Sequence, residues 1–239
     1  MTALDGVNLD VGPGETMGIV GESGSGKTTL GNVILGLVRP AAGSVLLDGE
    51  EITAASPKRR RELSRDLQIV FQDPYGSLNP MRTVAQTLEE PLLAHLSLTS
   101  RQRRDRVAGA LERVGLERAD ARRYPGSFSG GQRQRIAIAR ALMLQPKLVV
   151  CDEAVSSLDL SVQAQVLNLL RSLQQELGIT LLFITHDLAV VRYICDRVTV
   201  LYRGHVVEHG PAEQVCTHPG DPYTKRLLAA VPRLTQEVT

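Results

Sequence analysis

Cysteine is scarce in this 239-residue chain: Cys151, Cys195 and Cys216 stand alone, without a CxxC pair or any metal-like spacing. An odd, scattered set of thiols cannot close a disulfide framework, so the sequence fits a reducing cytoplasm. Long apolar runs are missing as well. No stretch approaches the roughly 18 residues of a membrane helix, and the N-terminus lacks a basic region followed by a hydrophobic core. Work at a membrane would require docking on something that spans it. Neither sign of charge is in excess, since 27 Lys plus Arg oppose 26 Asp plus Glu, and nothing global draws the chain to nucleic acid or anionic lipid. Aromatic residues make up 3% of the chain, there is no Trp, and no aromatic precedes Phe71. Internal repeats and low-complexity linkers are absent. What remains is 43% apolar and 22% charged, which excludes disordered and fibrous classes and suffices for one large core or two modest ones.

The strongest pattern begins at residues 17–20, an apolar run that enters a glycine-rich turn and is followed over 27–38 by helical spacing. Strand, loop and helix frame Gly21, Glu22, Ser23, Gly24, Ser25, Gly26, Lys27 and Thr28, which match GxxxxGK[ST], with Thr29 in the same helix start. The glycines let backbone N–H groups of residues 23–28 turn inward on phosphate oxygens. Lys27 reaches the β and γ phosphates, and the Thr28 hydroxyl is suited to ligate Mg2+.

Further strands are expected at 43–49, 68–71, 148–151 and 181–184. The last two are continuous apolar runs, read as buried on both faces, and the amphipathic stretch 161–177 between them makes a parallel crossover. Ligands collect at the C-terminal ends of such strands. Asp152 and Glu153 lie at one of these ends and His186 at the next. Asp152 suits the Mg2+ shell, Glu153 can polarise an attacking water, and His186 can touch the γ phosphate or that water. Gln72, after the 68–71 strand, can bond a metal-bound water and move with the turn-rich 73–80 segment. Residues 83–142 read as helix-rich with Pro91, Pro125 and Gly126 as breakers, and a strand pair at 198–201 and 205–208 precedes a helical tail over 212–231.

Ser129, Gly130, Gly131 and Gln132 open another helix. Ser129 can cap it, and the two glycines leave backbone N–H groups bare for an anion. A chain that already holds a nucleotide at its phosphate loop needs no second grip of this kind, which points to a nucleotide held by another copy or a partner.

In this order the motifs resemble those of the nucleotide-binding subunits of ATP-binding cassette transporters, over essentially the whole chain. The phosphate loop is 21–28, the Q-loop residue Gln72, the signature 129–132, the Walker B aspartate Asp152, the catalytic glutamate Glu153, the D-loop 157–159 ending in Asp159, and the switch histidine His186. The resemblance implies an α/β fold: a P-loop NTPase core with a mostly parallel sheet flanked by helices (about 1–80 and 146–210), a helical subdomain (about 81–145) and a tail (about 211–239). It implies ATP and Mg2+ as cofactors, with Thr28, Gln72 and Asp152 around the metal and Asp159 among the nucleotide-contacting residues. It also implies a head-to-tail dimer in which Ser129, Gly131 and Gln132 of one subunit close over ATP held by Lys27 of the other. The second cassette is left open between an identical copy, a homologue and the other half of a fused chain. Transmembrane permease subunits, and indirectly a solute-binding protein, are the further partners, with the ATPase peripheral on the cytoplasmic face of the cell membrane.

Residues 71–80 and 218–224 are similar to blocks of the oligopeptide and dipeptide importer branch, which also includes importers of glutathione, nickel and some sugars. The alternative is a soluble cassette ATPase acting on DNA or ribosomes, whose paired cassettes, coiled-coil insertion or strongly basic surface this sequence lacks. A P-loop GTPase would need an NKxD motif, also absent. Phe128 stands where the family usually has Leu, Ala154 where Pro is common and Ser157 where Ala is common; none of these removes a functional atom. The family's first strand and adenine-stacking aromatic would lie just before Ala3 and Leu4. With no aromatic before Phe71, that platform is expected to be missing from this sequence and ATP binding to be weaker than in a version extended upstream. No iron–sulfur cluster is supported by Cys216 alone. The basic runs 58–61 and 101–123 interleave with acidic residues and read as solvated helical faces with no role in nucleic-acid binding. Val166, Leu169, Leu170, Leu173 and Leu177 read as core.

Overall fold

The computed structural model describes residues 2–230. Strand Thr16–Val20 (β1) is buried along its whole length, as a strand covered on both faces requires. It feeds helix α1 (Lys27–Ile34) through the glycine loop. A small hairpin of β2 (Leu46–Leu47) and β3 (Glu50–Glu51) is followed by α2 (Pro57–Leu63) and β4 (Leu67–Val70). Three helices then form a block: α3 (Val84–His95), α4 (Ser100–Arg113) and α5 (Gly130–Leu142). The chain returns to the sheet through β5 (Leu148–Asp152), α6 (Leu160–Leu177), β6 (Thr180–Thr185), α7 (Leu188–Ile194), β7 (Arg197–Tyr202) and β8 (His205–Pro211), and ends in α8 (Ala212–Thr217) and α9 (Pro222–Ala230).

The six-stranded sheet runs β4-β5-β6-β1-β7-β8, parallel throughout except for β8 against β7. Strand alternation divides its apolar residues between two layers. Val149, Cys151, Leu181 and Phe183 face a core shared with α5, α6 and the helical block. Val150, Leu182, Ile184, Met17 and Ile19 face the opposite layer, where Leu30 of α1 packs. The fold is therefore α/β with a mostly parallel sheet flanked by helices, as the motifs implied.

Five local expectations need correction. The first helix stops at Ile34 and not at residue 38, because Gly36 adopts φ 69° and the chain closes a Schellman turn: Leu37 N–H donates to Asn32 O at 2.8 Å and Gly36 N–H to Val33 O at 3.0 Å. The strand expected over 43–49 shrinks to Leu46–Leu47, since Asp48 (φ 51°) and Gly49 (φ 80°) turn it back on Glu50–Glu51 as a two-residue hairpin. Pro91 does not break its helix. It sits inside α3, where burial of Val84, Leu88 and Leu92 offsets a proline cost of about 3 kcal/mol. The tail is two helices, parted at residues 218–221, where Gly220 and Asp221 donate to the Glu208 carboxylate at 2.7 and 3.1 Å. Residues 231–239 of the expected tail lie outside the described residues. The strand expected at 68–71 spans Leu67–Val70 and leaves Phe71 exposed.

The three helices of the block start alike. Thr83 with Gln86, Thr99 with Gln102 and Ser129 with Gln132 each form a reciprocal capping box. In the basic runs, Arg59, Arg103, Arg118 and Arg123 are ion-paired with Glu50, Glu89, Glu112 and Asp120.

Candidate functional site

The ends of β5, β6 and β1 lie side by side in the sheet, which brings the acidic pair and the histidine next to the phosphate loop. At both of its ends the loop can make its turn only with glycine. A Cβ on Gly21 would lie 2.2 Å from the Leu201 carbonyl oxygen, and Gly26 holds φ 106° with the Ala3 carbonyl 2.7 Å from where its Cβ would be. Gly26 is also the N-cap of α1, and no side chain caps that helix. The first N–H groups of α1, at Lys27, Thr28 and Thr29, therefore have no side-chain partner and are left for an anion.

Lys27 is buried, and its ammonium donates to the carbonyls of Gly21 at 2.7 Å and Glu22 at 2.8 Å. Burial lowers its pKa, opposed by the carboxylates of Glu153, Asp152 and Glu22. Thr28 donates its hydroxyl to Asp152 Oδ1 at 3.4 Å. Burial raises the Asp152 pKa, the Glu153 charge adds to that, and the Thr28 hydrogen bond and Lys27 work against it. Glu153 takes a left-handed backbone, φ 48°, a conformation that a non-glycine residue holds only where its surroundings impose it. Here they do: its N–H donates to Ile184 O at 2.9 Å, and its carbonyl accepts from the Ser156 N–H and hydroxyl, both at 3.0 Å. Its carboxylate meets His186 Nδ1 at 3.5 Å.

The structure thus gathers Lys27, Thr28, Asp152, Glu153 and His186. Gln72 shares no hydrogen bond with that cluster: its side chain is exposed and makes no hydrogen bond among the described residues, while its carbonyl accepts the Ser157 hydroxyl at 3.1 Å. Ser23 is exposed, whereas the Ser25 hydroxyl is buried without a partner. Asp159 is the N-cap of α6, accepting the Val162 N–H at 3.0 Å. Residues 129–132 share no hydrogen bond or ion pair with the phosphate loop of their own chain. Ser129 and Gln132 satisfy each other, and Gly131 is required by packing, since a Cβ there would stand 2.3 Å from Val162 Cγ1. At Gly130 a Cβ would make only ordinary contact, 3.6 Å from the Tyr75 hydroxyl and 3.8 Å from Leu158 Cδ2. One contact escaped the sequence reading altogether: the Tyr223 hydroxyl accepts the Glu22 N–H at 2.9 Å. Tyr223 falls in the 218–224 block that is similar to one of the importer branch, but nothing in a linear sequence pairs it with the phosphate loop.

The donor set fits a magnesium ion. Thr28 and Asp152 offer one hydroxyl and one carboxylate, and a second carboxylate raising the pKa of the first is a charge that a cation relieves. Among the described residues no cluster of three or more His, Cys, Asp or Glu forms a cage, and an ion that takes most of its shell from phosphates and water needs none. The charge on Asp152 has a stability consequence. A carboxyl whose pKa is higher folded than unfolded binds protons more readily in the folded state, so its contribution is favourable in acid and is lost as pH rises through the folded value. Asp152→Asn keeps the acceptor for Thr28 and removes the charge. The nucleotide-free variant should melt roughly 1–2 °C above the parent at neutral pH, the gain shrinking toward acid pH, while turnover falls. Melting curves across pH test this; a lower melting temperature at neutral pH would overturn it.

A glycine-bent loop before an uncapped helix, a buried lysine and an acidic pair on the neighbouring strand ends have the form of a P-loop nucleoside-triphosphatase site. Comparison with known proteins narrows the class. The family described as ABC transporter matches residues 4–156, and the chain belongs to that family as an ATPase domain. It is 50% identical over 235 residues, 98% of this chain, to the dipeptide transport ATP-binding protein DppF of Escherichia coli (strain K12). It is 51% identical over 230 residues, 96% of this chain, to the glutathione import ATP-binding protein GsiA of the same organism. The chain spans 70% of the length of the first relative and 37% of the second. Among solved structures, cbiO1 from Clostridium perfringens, part of the ABC transporter complex cbiONQ, superposes with a TM-score of 0.82 at 35% identity, covering 89% of this chain and 83% of that one. The ATP-binding cassette MJ0796, a dimer bound to ADP and Pi after hydrolysis, gives 0.78 at 34% identity over 88% and 90%.

Proposed function

We propose that this chain binds ATP on residues 21–29, closes on it with the signature segment of a second cassette, and hydrolyses it to drive a membrane permease that imports a short peptide. The observation that carries the reading is the convergence of Lys27, Thr28, Asp152, Glu153 and His186 on adjacent strand ends. The α1 N–H groups and the Lys27 ammonium hold the phosphates. Thr28 and Asp152 would hold Mg2+, which neutralises charge on the β and γ phosphate oxygens when bound. Glu153 accepts hydrogen bonding from the attacking water, and His186, 3.5 Å from that carboxylate, orients the pair. The helix start at 129–132 supplies N–H groups to the nucleotide of the partner subunit, with Asp159 on the same side; the dimeric MJ0796 neighbour supports this arrangement.

Among the described residues no helix is long and apolar enough to cross a membrane, so the permease is reached by docking. Phe71, Tyr75 and Met81 are exposed in and beside the segment that follows Gln72, and they form the apolar part of that surface. A short peptide as cargo is supported by the two relatives, whose names specify dipeptide and glutathione. The chain, produced with its permease pair, should co-purify in detergent and, with the solute-binding protein supplied outside, energise dipeptide uptake into vesicles loaded with ATP. Permease binding without nucleotide-dependent uptake of any short peptide would reject the cargo, and failure to bind a permease would reject the transport reading.

A further inference from the structure

The tail block 218–224 has no part in the chemistry above, yet it ends against the site. Tyr223, in the first turn of α9, is only 4% exposed. Its ring lies 4.2 Å from that of Tyr202, tilted by 37°, and its hydroxyl accepts the Glu22 backbone N–H at 2.9 Å across 201 positions of sequence. That N–H belongs to the same planar unit as the Gly21 carbonyl, and this carbonyl accepts the Lys27 ammonium at 2.7 Å. One rigid peptide is therefore held at both ends, by a tyrosine on one side and by the phosphate-binding lysine on the other.

The clamp answers a need created by Gly21. Its close approach to the Leu201 carbonyl excludes any side chain, and a glycine leaves the following peptide freer to rotate than any other residue would. Rotation of that peptide would swing the Gly21 carbonyl away from Lys27. The tyrosine is itself fixed independently of the loop: its N–H donates to Asp221 Oδ1 at 2.7 Å, and the Glu208 carboxylate takes the N–H groups of Gly220 and Asp221. Glu208 belongs to β8, which is paired along β7, so the hydroxyl is braced against the sheet. The ring is buried in the apolar cluster formed by β7, α7, α8 and Val20 at the end of β1.

We propose that Tyr223 is a positioning residue for the phosphate loop: its hydroxyl sets the 21–22 peptide and, through it, the seat of Lys27, so that the C-terminal tail tunes affinity for ATP. The inference rests on the reading that Lys27 holds ATP, and it assigns Tyr223 no contact with the nucleotide. Tyr223→Phe keeps the ring and deletes only the acceptor. It should raise the Kd for a fluorescent ATP analogue, and the KM for ATP, by about three- to tenfold, the range of one lost hydrogen bond, with kcat within about twofold. Tyr202→Phe, which keeps the same ring packing and has no bond to the loop, should change neither. Glu208→Ala, which frees the 218–221 segment without touching Tyr223, should raise Kd in the same direction.

A parent-like Kd and KM in Tyr223→Phe would overturn the proposal. So would an equal rise in Tyr202→Phe, or a fall in kcat at unchanged KM, because either marks general loosening of the packing. Melting of the nucleotide-free variants accompanies the binding data: a Kd rise that scales with lost melting temperature across all three variants also overturns it. Lys27→Ala separates this inference from the reading beneath it. If Lys27→Ala weakens analogue binding and Tyr223→Phe does not, only the tail's role fails; if Lys27→Ala binds like the parent, both fail.

Discussion

Glu153→Gln should lower steady-state ATP hydrolysis by about 10³-fold while leaving ATP affinity within about threefold, since positioned general bases contribute roughly 10²–10⁴. The substitution is nearly isosteric. It preserves the two backbone anchors, the N–H to Ile184 and the carbonyl to Ser156, which hold the residue at φ 48°. The side chain loses its charge, hence its power to polarise water and its attraction for His186, 3.5 Å away. In the proposed reading binding rests on other groups, the α1 N-terminus and Lys27, and should survive. Single-turnover hydrolysis and equilibrium binding by the purified variant separate the two effects. Undiminished hydrolysis would reject Glu153 as the base, and joint loss of binding and turnover would mean that the residue supports the loop instead.

The second large effect concerns two chains. Lys27→Ala removes the ammonium from the loop, and Ser129→Arg places a bulky cation at the start of α5, where Ser129 is exposed and its loss as a cap costs only about 1 kcal/mol. Each variant alone should hydrolyse ATP at no more than a few per cent of the parent rate, because in a symmetric dimer every shared site then carries the defect. Mixed in equal amounts, half of the dimers are heterodimers, and each of these has one of its two sites intact. Activity should return to roughly a quarter of the parent value. Confirmed mixed dimers without recovered activity would exclude the shared site and leave the 129–132 segment as an ordinary helix start.

That plainer possibility has force because the capping box at Ser129 is also found at Thr83 and Thr99. What sets the α5 start apart is glycine at the next two positions, and only one of these is explained by packing. The phosphate loop, the acidic strand end and the histidine were legible because each motif is local: a strand, a turn and a helix start within a few residues. Parallel pairing of 148–151 with 181–184 was legible from two apolar runs around one amphipathic helix, and the register bears it out. The early stop of α1 was written in Gly36, but Leu37 and Val38 continued the apolar spacing and masked it. Pro91 misled in the opposite sense, since a burial that proline cannot signal held the helix together. The order of the sheet and the reach of Tyr223 to Glu22 depend on tertiary packing between distant segments, where no local propensity speaks.

The contact between α5 and α6 has a mechanical consequence. With a methyl at Gly131 standing 2.3 Å from Val162 Cγ1, the two helix starts are pressed together without slack, and Ser129 and Asp159 sit at the two ends of one strut. Neither end can be displaced alone. In the proposed dimer, a pull that a second chain exerts on the signature would be carried to the 157–159 turn, where the Ser157 hydroxyl donates to the Gln72 carbonyl. In the proposed dimer the load path from the far nucleotide to the exposed segment after Gln72 passes through a contact too close to admit a methyl group, and Gly131→Ala would have to push the two helix starts apart.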